Sequence, residues 1–275
     1  YNLTVKTEST DRGENYYLEL IEDKLQQSVN RHLISDVPIS VFLSGGLDSS
    51  LLSSMTSKKL EYEINTFSVG FDNINYDESN FANLVSKYIG SNHNNIKIQK
   101  SKILENIKKI IKIKSTPASI PHEYPLYLLS SEIKNKNKVV LSGEGADEFF
   151  GGYARMQKSA VDFIKLKKFG RFSKIKLIKK IFSLDSNFDY KKNFLNYFFY
   201  KYNWFSNKDI KNLFLDNLIT DENFNDAQKP WLDLINKNKN LNLFDLSLLF
   251  FQKNHLKCLL NRLDSLTMAN SLEAR

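Results

Sequence analysis

Leu43-Ser44-Gly45-Gly46-Leu47-Asp48-Ser49-Ser50 is the segment whose residue types and spacing point most directly to chemistry. The apolar run Val41-Phe42-Leu43 leads into it, and the helix-compatible run Leu51-Leu52-Ser53-Ser54-Met55 follows. The order is therefore buried strand, glycine–serine loop, helix. Paired glycines let the backbone turn tightly and present its N–H groups. A helix start adds unpaired donors and the positive end of a dipole. Ser44, Ser49 and Ser50 add hydroxyls. A carboxylate beside bound phosphate would repel it, so Asp48 makes sense where a Mg²⁺ ion lies between them. The segment reads as a phosphate cradle with a metal-holding aspartate.

Two other phosphate motifs are excluded. A Walker A loop needs Lys and then Ser or Thr after its last glycine, and this loop has no Lys. The dinucleotide fingerprint G-x-G-x-x-G fails in Gly143-Glu144-Gly145-Ala146-Asp147-Glu148, which ends in an acid. What is left, S-G-G-x-D-S, resembles the pyrophosphatase loop of enzymes that cleave ATP to AMP and pyrophosphate. The plainer alternative is a strand–turn–helix connection with capping serines, since Gly-Gly and Ser-Ser pairs are common in turns.

A second cluster argues against the plainer view. Val139-Val140-Leu141 reads as a short buried strand that runs into Ser142-Gly143-Glu144-Gly145-Ala146-Asp147-Glu148-Phe149-Phe150-Gly151-Gly152-Tyr153. Open parallel sheets place their ligands at such strand ends. Glu144, Asp147 and Glu148 stand close enough to repel unless cations or protons separate them.

Five ordered matches carry a family resemblance: Ser44 to Ser50, Phe67-Ser68-Val69-Gly70-Phe71, Tyr76-Asp77-Glu78-Ser79, Leu141 to Glu148, and Arg262-Leu263-Asp264-Ser265-Leu266-Thr267-Met268-Ala269 with Ser271-Leu272-Glu273-Ala274-Arg275. Together they resemble the synthetase domain of glutamine-hydrolysing asparagine synthetases, a fold of the adenine nucleotide alpha hydrolase-like (PP-loop) kind. The resemblance implies carboxyl activation. A carboxylate attacks the α-phosphate of ATP, pyrophosphate leaves, and ammonia displaces AMP from the acyl-adenylate. Implied roles follow. The loop backbone from Leu43 through Gly45 and Gly46, with Ser44, Ser49 and Ser50, holds pyrophosphate. Asp48 and Asp147 ligate Mg²⁺. Val69 and Gly70 lie against adenosine through backbone groups. Ser142 and Gly143 line the nucleotide or acyl-adenylate pocket. Glu144 handles the attacking amine, as proton acceptor or as positioner. Glu148 reads as a structural acid pairing with a nearby Arg, and Glu273 with Arg275 as an internal ion pair.

Departures from the family bear on substrate and nitrogen source. The family's glutaminase half uses an N-terminal cysteine, whereas this chain opens on Tyr1 and holds only Cys258. No glutamine hydrolysis is expected of this chain by itself. A glutaminase domain is expected as partner in the full-length protein, with ammonia passed to this segment. The family continues past the Ala274-Arg275 position to a catalytic lysine that is not assigned here. Pro121, in Ile120-Pro121-His122-Glu123-Tyr124, stands where aspartate-using members carry an arginine suited to a free α-carboxylate. Aspartate is the expected acid. A peptide, sugar acid or β-lactam precursor stays open, as does an inactive nucleotide-binding segment.

Certain elements must hold these loops. Leu18, Ile21, Leu25 and Leu33 repeat at helical spacing. Strands are expected over 37–43, 64–69, 95–98 and 138–141, and helices over 77–89, 103–113 and 124–133. Alternation of strand and helix implies an α/β fold with a parallel sheet covered on both faces. Beyond Tyr153 the pattern is helical and rich in Phe and Lys. The expected organisation is a PP-loop core over 1–157 and a mainly helical continuation over 158–275.

Composition narrows the classes. With 41% hydrophobic residues in 275, a substantial core is available. No apolar run reaches the length of a membrane span. The aromatic stretch Phe194 to Tyr202 is broken by Asn and Lys and reads as core helix or interface. One cysteine excludes an internal disulfide framework, which favours a cytoplasmic protein. The net charge of +8 invites nucleic acid, but the lysines are dispersed. The densest stretch, Lys165 to Lys180, alternates with Phe, Leu and Ile, as on the outer face of amphipathic helices. Nucleic acid is therefore not the expected partner, and a homodimer is compatible with the reading. His32 and His93 have no metal-ligand spacing around them and read as surface or packing residues.

Overall fold

The computed structural model describes residues 10–73, 77–118, 120–169, 190–203, 205–214 and 218–275. Tyr76 of the third motif and residues 170–180 of the basic stretch lie outside them. The chain divides into two compact units. One runs to Glu144 and resumes over Cys258–Arg275; the other is Gly145–Lys257.

The first unit is the expected α/β core. Helix α1 (Glu14–His32) precedes β1 (Ile39–Phe42) and α2 (Leu47–Ser57). Then come β2 (Asn65–Gly70), α3 (Ser79–Ile89) and β3 (Asn92–Lys97). Helices α4 (Ile103–Lys114) and α5 (Glu123–Ile133) lead to β4 (Val139–Leu141). The strands pair in the order β3-β2-β1-β4-β5, every pair parallel. Side chains alternate between the two faces. Ile39 and Val41 join Ile64, Val139 and Leu141 on one face, closed by Leu52 of α2 and Ile89 of α3. Phe42, Phe67 and Val140 pack on the other with Leu129 and Ile133 of α5. Both faces are covered, which is why these strands read as continuous apolar runs.

Two features depart from the pattern read along the chain. In α1 the helical spacing forms a helix whose stripe is only partly covered: Leu18 is 56% and Ile21 37% exposed, while Leu33 at its C-terminal end packs against the layer of Ile39 and Val41. The fifth strand, β5 (Glu273–Ala274), pairs with β4 and has only two residues, too few for any periodicity. The expected Glu273–Arg275 ion pair is present at 2.7 Å, and Arg275 Nη1 also donates to the carbonyls of His32 and Ile34.

The second unit is helical: α6 (Ala146–Phe150), α7 (Ala154–Phe169), α8 (Tyr190–Tyr202), α9 (Asn207–Leu213), α10 (Asp221–Lys237) and α11 (Leu243–Phe250), then a π-helical turn, Phe251–His255. The aromatic stretch is core: Phe194, Leu195, Tyr197 and Phe198 are buried with Trp231, Phe250 and Phe251. The chain returns to the first unit within α12 (Leu256–Met268). Among the described residues no helix is long and apolar enough to cross a membrane.

His93 ties β3 to β2. Its Nδ1 lies 2.9 Å from Thr66 Oγ1 and its Nε2 3.0 Å from Ser68 Oγ. Burial pushes its pKa below the ordinary histidine value. The unfolded chain then binds the proton more readily than the folded one. This residue's contribution is complete above the unfolded pKa, about 6.5, and is lost as pH falls toward the folded value. We expect the urea midpoint to drop between about pH 7 and 5.5, and His93→Gln to flatten that part of the curve. An unchanged slope in the variant would remove His93 as the cause.

Candidate active site

The strand order reverses between β1 and β4: the chain first builds outward through β2 and β3, then crosses back to the other side of β1. Crevices of this kind, outside the carboxyl ends of the strands, are where open α/β sheets bind ligands. The two glycine loops leave the carboxyl ends of these two strands.

The first loop is shaped by its glycines. Gly45 adopts φ +85°, and a Cβ there would sit 2.5 Å from Ala82 N and 2.6 Å from Phe81 Cβ. Only glycine allows this approach to the first turn of α3. The Asp77-Glu78-Ser79 motif builds that turn: Asp77 Oδ1 accepts from Ser79 N at 3.1 Å and from its hydroxyl at 2.5 Å. These bonds hold the Asp77 carboxyl below the usual carboxylate range. Helix α2 starts on Gly46, and no side chain caps it. Its first-turn N–H groups therefore point toward the loop without a side-chain acceptor, as an anion site requires. The serines close the loop on itself. Ser44 Oγ lies 2.9 Å from Ser49 Oγ, and Ser50 Oγ donates to Gly46 O at 2.7 Å. Leu43 is buried, so its side chain anchors the loop and only its backbone is placed to serve a ligand. Asp48 is exposed at the helix start.

The second loop lies against the first. A Cβ on Gly143 would stand 3.4 Å from Ser49 N and 3.5 Å from Asp48 Cβ. Ser142 N donates to Arg275 O at 2.9 Å, and Ser142 Oγ accepts from Glu144 N at 3.4 Å. Glu144 is gripped by Arg262 of α12, Nη2 to Oε1 at 2.5 Å, with both side chains mostly buried. Arg262 Nε is buried with no hydrogen-bond partner, which leaves one guanidinium donor for a ligand oxygen or a water. Composition and spacing gave Arg262 no role. Its signal lay in standing first in the Arg262-Leu263-Asp264 motif, 118 residues from the acid it holds. Val69 and Gly70 end β2, the other neighbour of β1, and Gly70 is lined by side-chain ends: a Cβ would meet Asn95 Oδ1 at 2.8 Å and Ser79 Oγ at 3.1 Å.

Asp147 and Glu148 belong to the helical unit. Glu148 is 1% exposed, and its partners are not an arginine. Tyr153 OH donates to its Oε1 at 2.6 Å, and His255 Nε2 lies 3.8 Å away. The expected arginine is thus replaced by a hydroxyl and an imidazole, because Glu148 faces an aromatic core. Among the described residues no cluster of three or more His, Cys, Asp or Glu side chains forms a ready metal cage.

A family model for asparagine synthase matches residues 20–275. Asparagine synthetase 1 of Bacillus subtilis (strain 168), named as glutamine-hydrolysing, is 37% identical over 140 residues, which cover 51% of this chain and 22% of that protein. Asparagine synthetase B of Escherichia coli (strain K12) is 35% identical over 171 residues, 56% of this chain and 29% of that protein. A putative asparagine synthetase of Methanocaldococcus jannaschii is 36% identical over 160 residues, 57% and 31% respectively. The chain spans less than a third of each of these relatives. The model match runs over nearly all of the sequence and contains both glycine loops and the Arg262 motif, so this chain belongs to the asparagine synthase family.

Proposed function

We propose that this chain is the ATP-using part of an amide ligase that forms asparagine from aspartate and ammonia. The observation that carries the reading is the contact of two glycine loops at the strand-order reversal, with Glu144 anchored beside them by Arg262. The reacting carboxylate oxygen bonds to the α-phosphorus of ATP, and the bond to pyrophosphate breaks. Ammonia then bonds to the acyl carbon, a proton is lost, and AMP departs. Backbone N–H groups from Gly45 to Ser49 and the hydroxyls of Ser44, Ser49 and Ser50 receive the pyrophosphate. For that the serines exchange their internal bonds for phosphate oxygens. Asp48 and Asp147 are the residues expected to ligate a Mg²⁺ ion, whose charge would offset that building on the phosphates. Val69 and Gly70 offer backbone groups to adenosine; Ser142 and Gly143 line the acyl-adenylate pocket.

Glu144 serves the second step. Arg262 fixes where its carboxylate points, so it orients the incoming amine or takes its proton. A glutaminase domain in the full-length protein supplies the ammonia, and a cytoplasmic setting fits the use of ATP. A different acid is favoured by one observation. Pro121 stands in the turn before α5, its carbonyl accepting Tyr124 N at 3.3 Å, and Lys114, which reaches this turn, is committed to buried Glu123 at 2.5 Å. Acid-dependent ATP–pyrophosphate exchange with the full-length protein separates aspartate from other carboxylates, and exchange with no acid at all would contradict the ligase reading.

Asp48→Asn keeps shape and loses charge. We expect calorimetric affinity for Mg²⁺ with a non-hydrolysable ATP analogue to weaken about tenfold, or ~1.4 kcal/mol, with the fold retained. Equal affinity would remove Asp48 from the metal site.

Glu144→Gln in the full-length protein should leave pyrophosphate exchange largely intact while amide formation falls roughly 10²–10⁴-fold. Arg262→Met should move the same step in the same direction, because it frees the carboxylate to turn away. If both steps fall together in Glu144→Gln, the residue acts in adenylation instead.

A further inference from the structure

Two helices on opposite layers of the α/β unit expose one spacing with opposite charge. On α1, Glu14, Leu18, Ile21 and Glu22 fall at i, i+4, i+7 and i+8, one face of a helix. All four are exposed, Leu18 at 56%. On α4, Leu104, Lys108, Ile111 and Lys112 repeat that spacing, and all four are again exposed, Leu104 at 76%. The core does not use either stripe. Helix α4 turns Ile103, Ile110 and Ile113 inward, against Tyr124 and Leu126 of α5. Removing Leu18, Ile21, Leu104 and Ile111 from water takes a further surface.

The charge around each stripe has the sign of the stripe. Over 11–78, twelve acids stand against five bases; over 97–114, seven lysines stand against one acid, Glu105. Lys109 takes Glu105 at 2.7 Å, and Lys114 takes Glu123. Among the described residues, Lys100, Lys102, Lys108 and Lys112 are in no ion pair. Helix α1 lies beside α2 on one layer, and α4 packs on α5 in the other, so one copy cannot join its own two stripes.

We infer that α1 of one copy docks along α4 of a second copy. Leu18 and Ile21 then cover Leu104 and Ile111, and Glu14 and Glu22 face Lys108 and Lys112. Each molecule carries both complementary surfaces, which favours a second copy over another acidic partner. A nucleic acid would use the lysines through its phosphates and leave Leu104 and Ile111 uncovered. The contact is head-to-tail, so it closes into a ring or extends as a chain. Two short helices bury little area, so association is weak, and its charge makes it salt-sensitive.

Sedimentation velocity of the full-length protein over a dilution series tests this at low and high salt. We expect concentration-dependent growth at low salt, and association about tenfold weaker at high salt. Lys108→Glu with Lys112→Glu should abolish the growth, and so should Glu14→Lys with Glu22→Lys. The protein carrying all four changes should regain it, as should an equimolar mixture of the two double variants. Growth that persists in either double variant, or that stays lost in both the fourfold variant and the mixture, would overturn the proposal. A wild type that does not grow but sediments with vesicles rich in phosphatidylserine, or with duplex DNA, would also overturn it and give the lysine stripe to that partner. Leu104→Ser with Ile111→Ser is the further variant should a charge reversal fail to fold, with the same loss expected.

Discussion

The parallel pairing of β1 with β4 is the constraint on which the placement of the two glycine loops in the α/β unit depends. Ile39 pairs with Val139 and Val41 with Leu141, so the two strands end side by side and their loops emerge together. A one-residue slip would turn Val41 and Leu141 to the opposite faces and break both apolar layers. The hydrophobic effect therefore fixes the register, and the register fixes the site. Gly45 finishes the arrangement by permitting the close approach to α3, and Gly143 lies beside Asp48 and Ser49.

Charge is held on this frame by pairs rather than left to solvent. Arg262 and Glu144 are joined across the fold by α12, and Arg275 binds Glu273 and two carbonyls near the end of α1. Removing one partner of a largely buried pair leaves the other uncompensated, which is more costly than the pair is stabilising. Such pairs are better understood as setting direction than as holding the molecule together. Glu148 in the helical unit is likewise partnered, by the Tyr153 hydroxyl and the His255 imidazole.

Much of this was legible in the sequence, for a physical reason. Apolar strands buried on both faces announce themselves as short runs, and β1, β2 and β4 were readable to within two residues. Tight loops depend on backbone geometry that only particular residues allow, so Gly45, with φ +85° and no room for a Cβ, carried its own signal. Long-range partnership did not. No local pattern in Arg262 names Glu144, and none in Tyr153 or His255 names Glu148. β5 escaped because two residues have no period. The stripe Leu18, Ile21, Leu25 and Leu33 predicted a helix correctly but not that its Leu18 end is exposed while Leu33 packs on the sheet, since spacing reports which face is apolar and not how much of it is covered.

The central claim is that a carboxylate oxygen becomes bonded to the α-phosphorus of ATP. The most direct measurement follows that oxygen. The full-length protein is given aspartate labelled with ¹⁸O in its side-chain carboxylate, ATP, Mg²⁺ and ammonium, and the nucleotide product is read by mass spectrometry and ³¹P NMR. The account predicts AMP carrying one ¹⁸O and unlabelled pyrophosphate. ADP with labelled phosphate, or AMP without label, would contradict it.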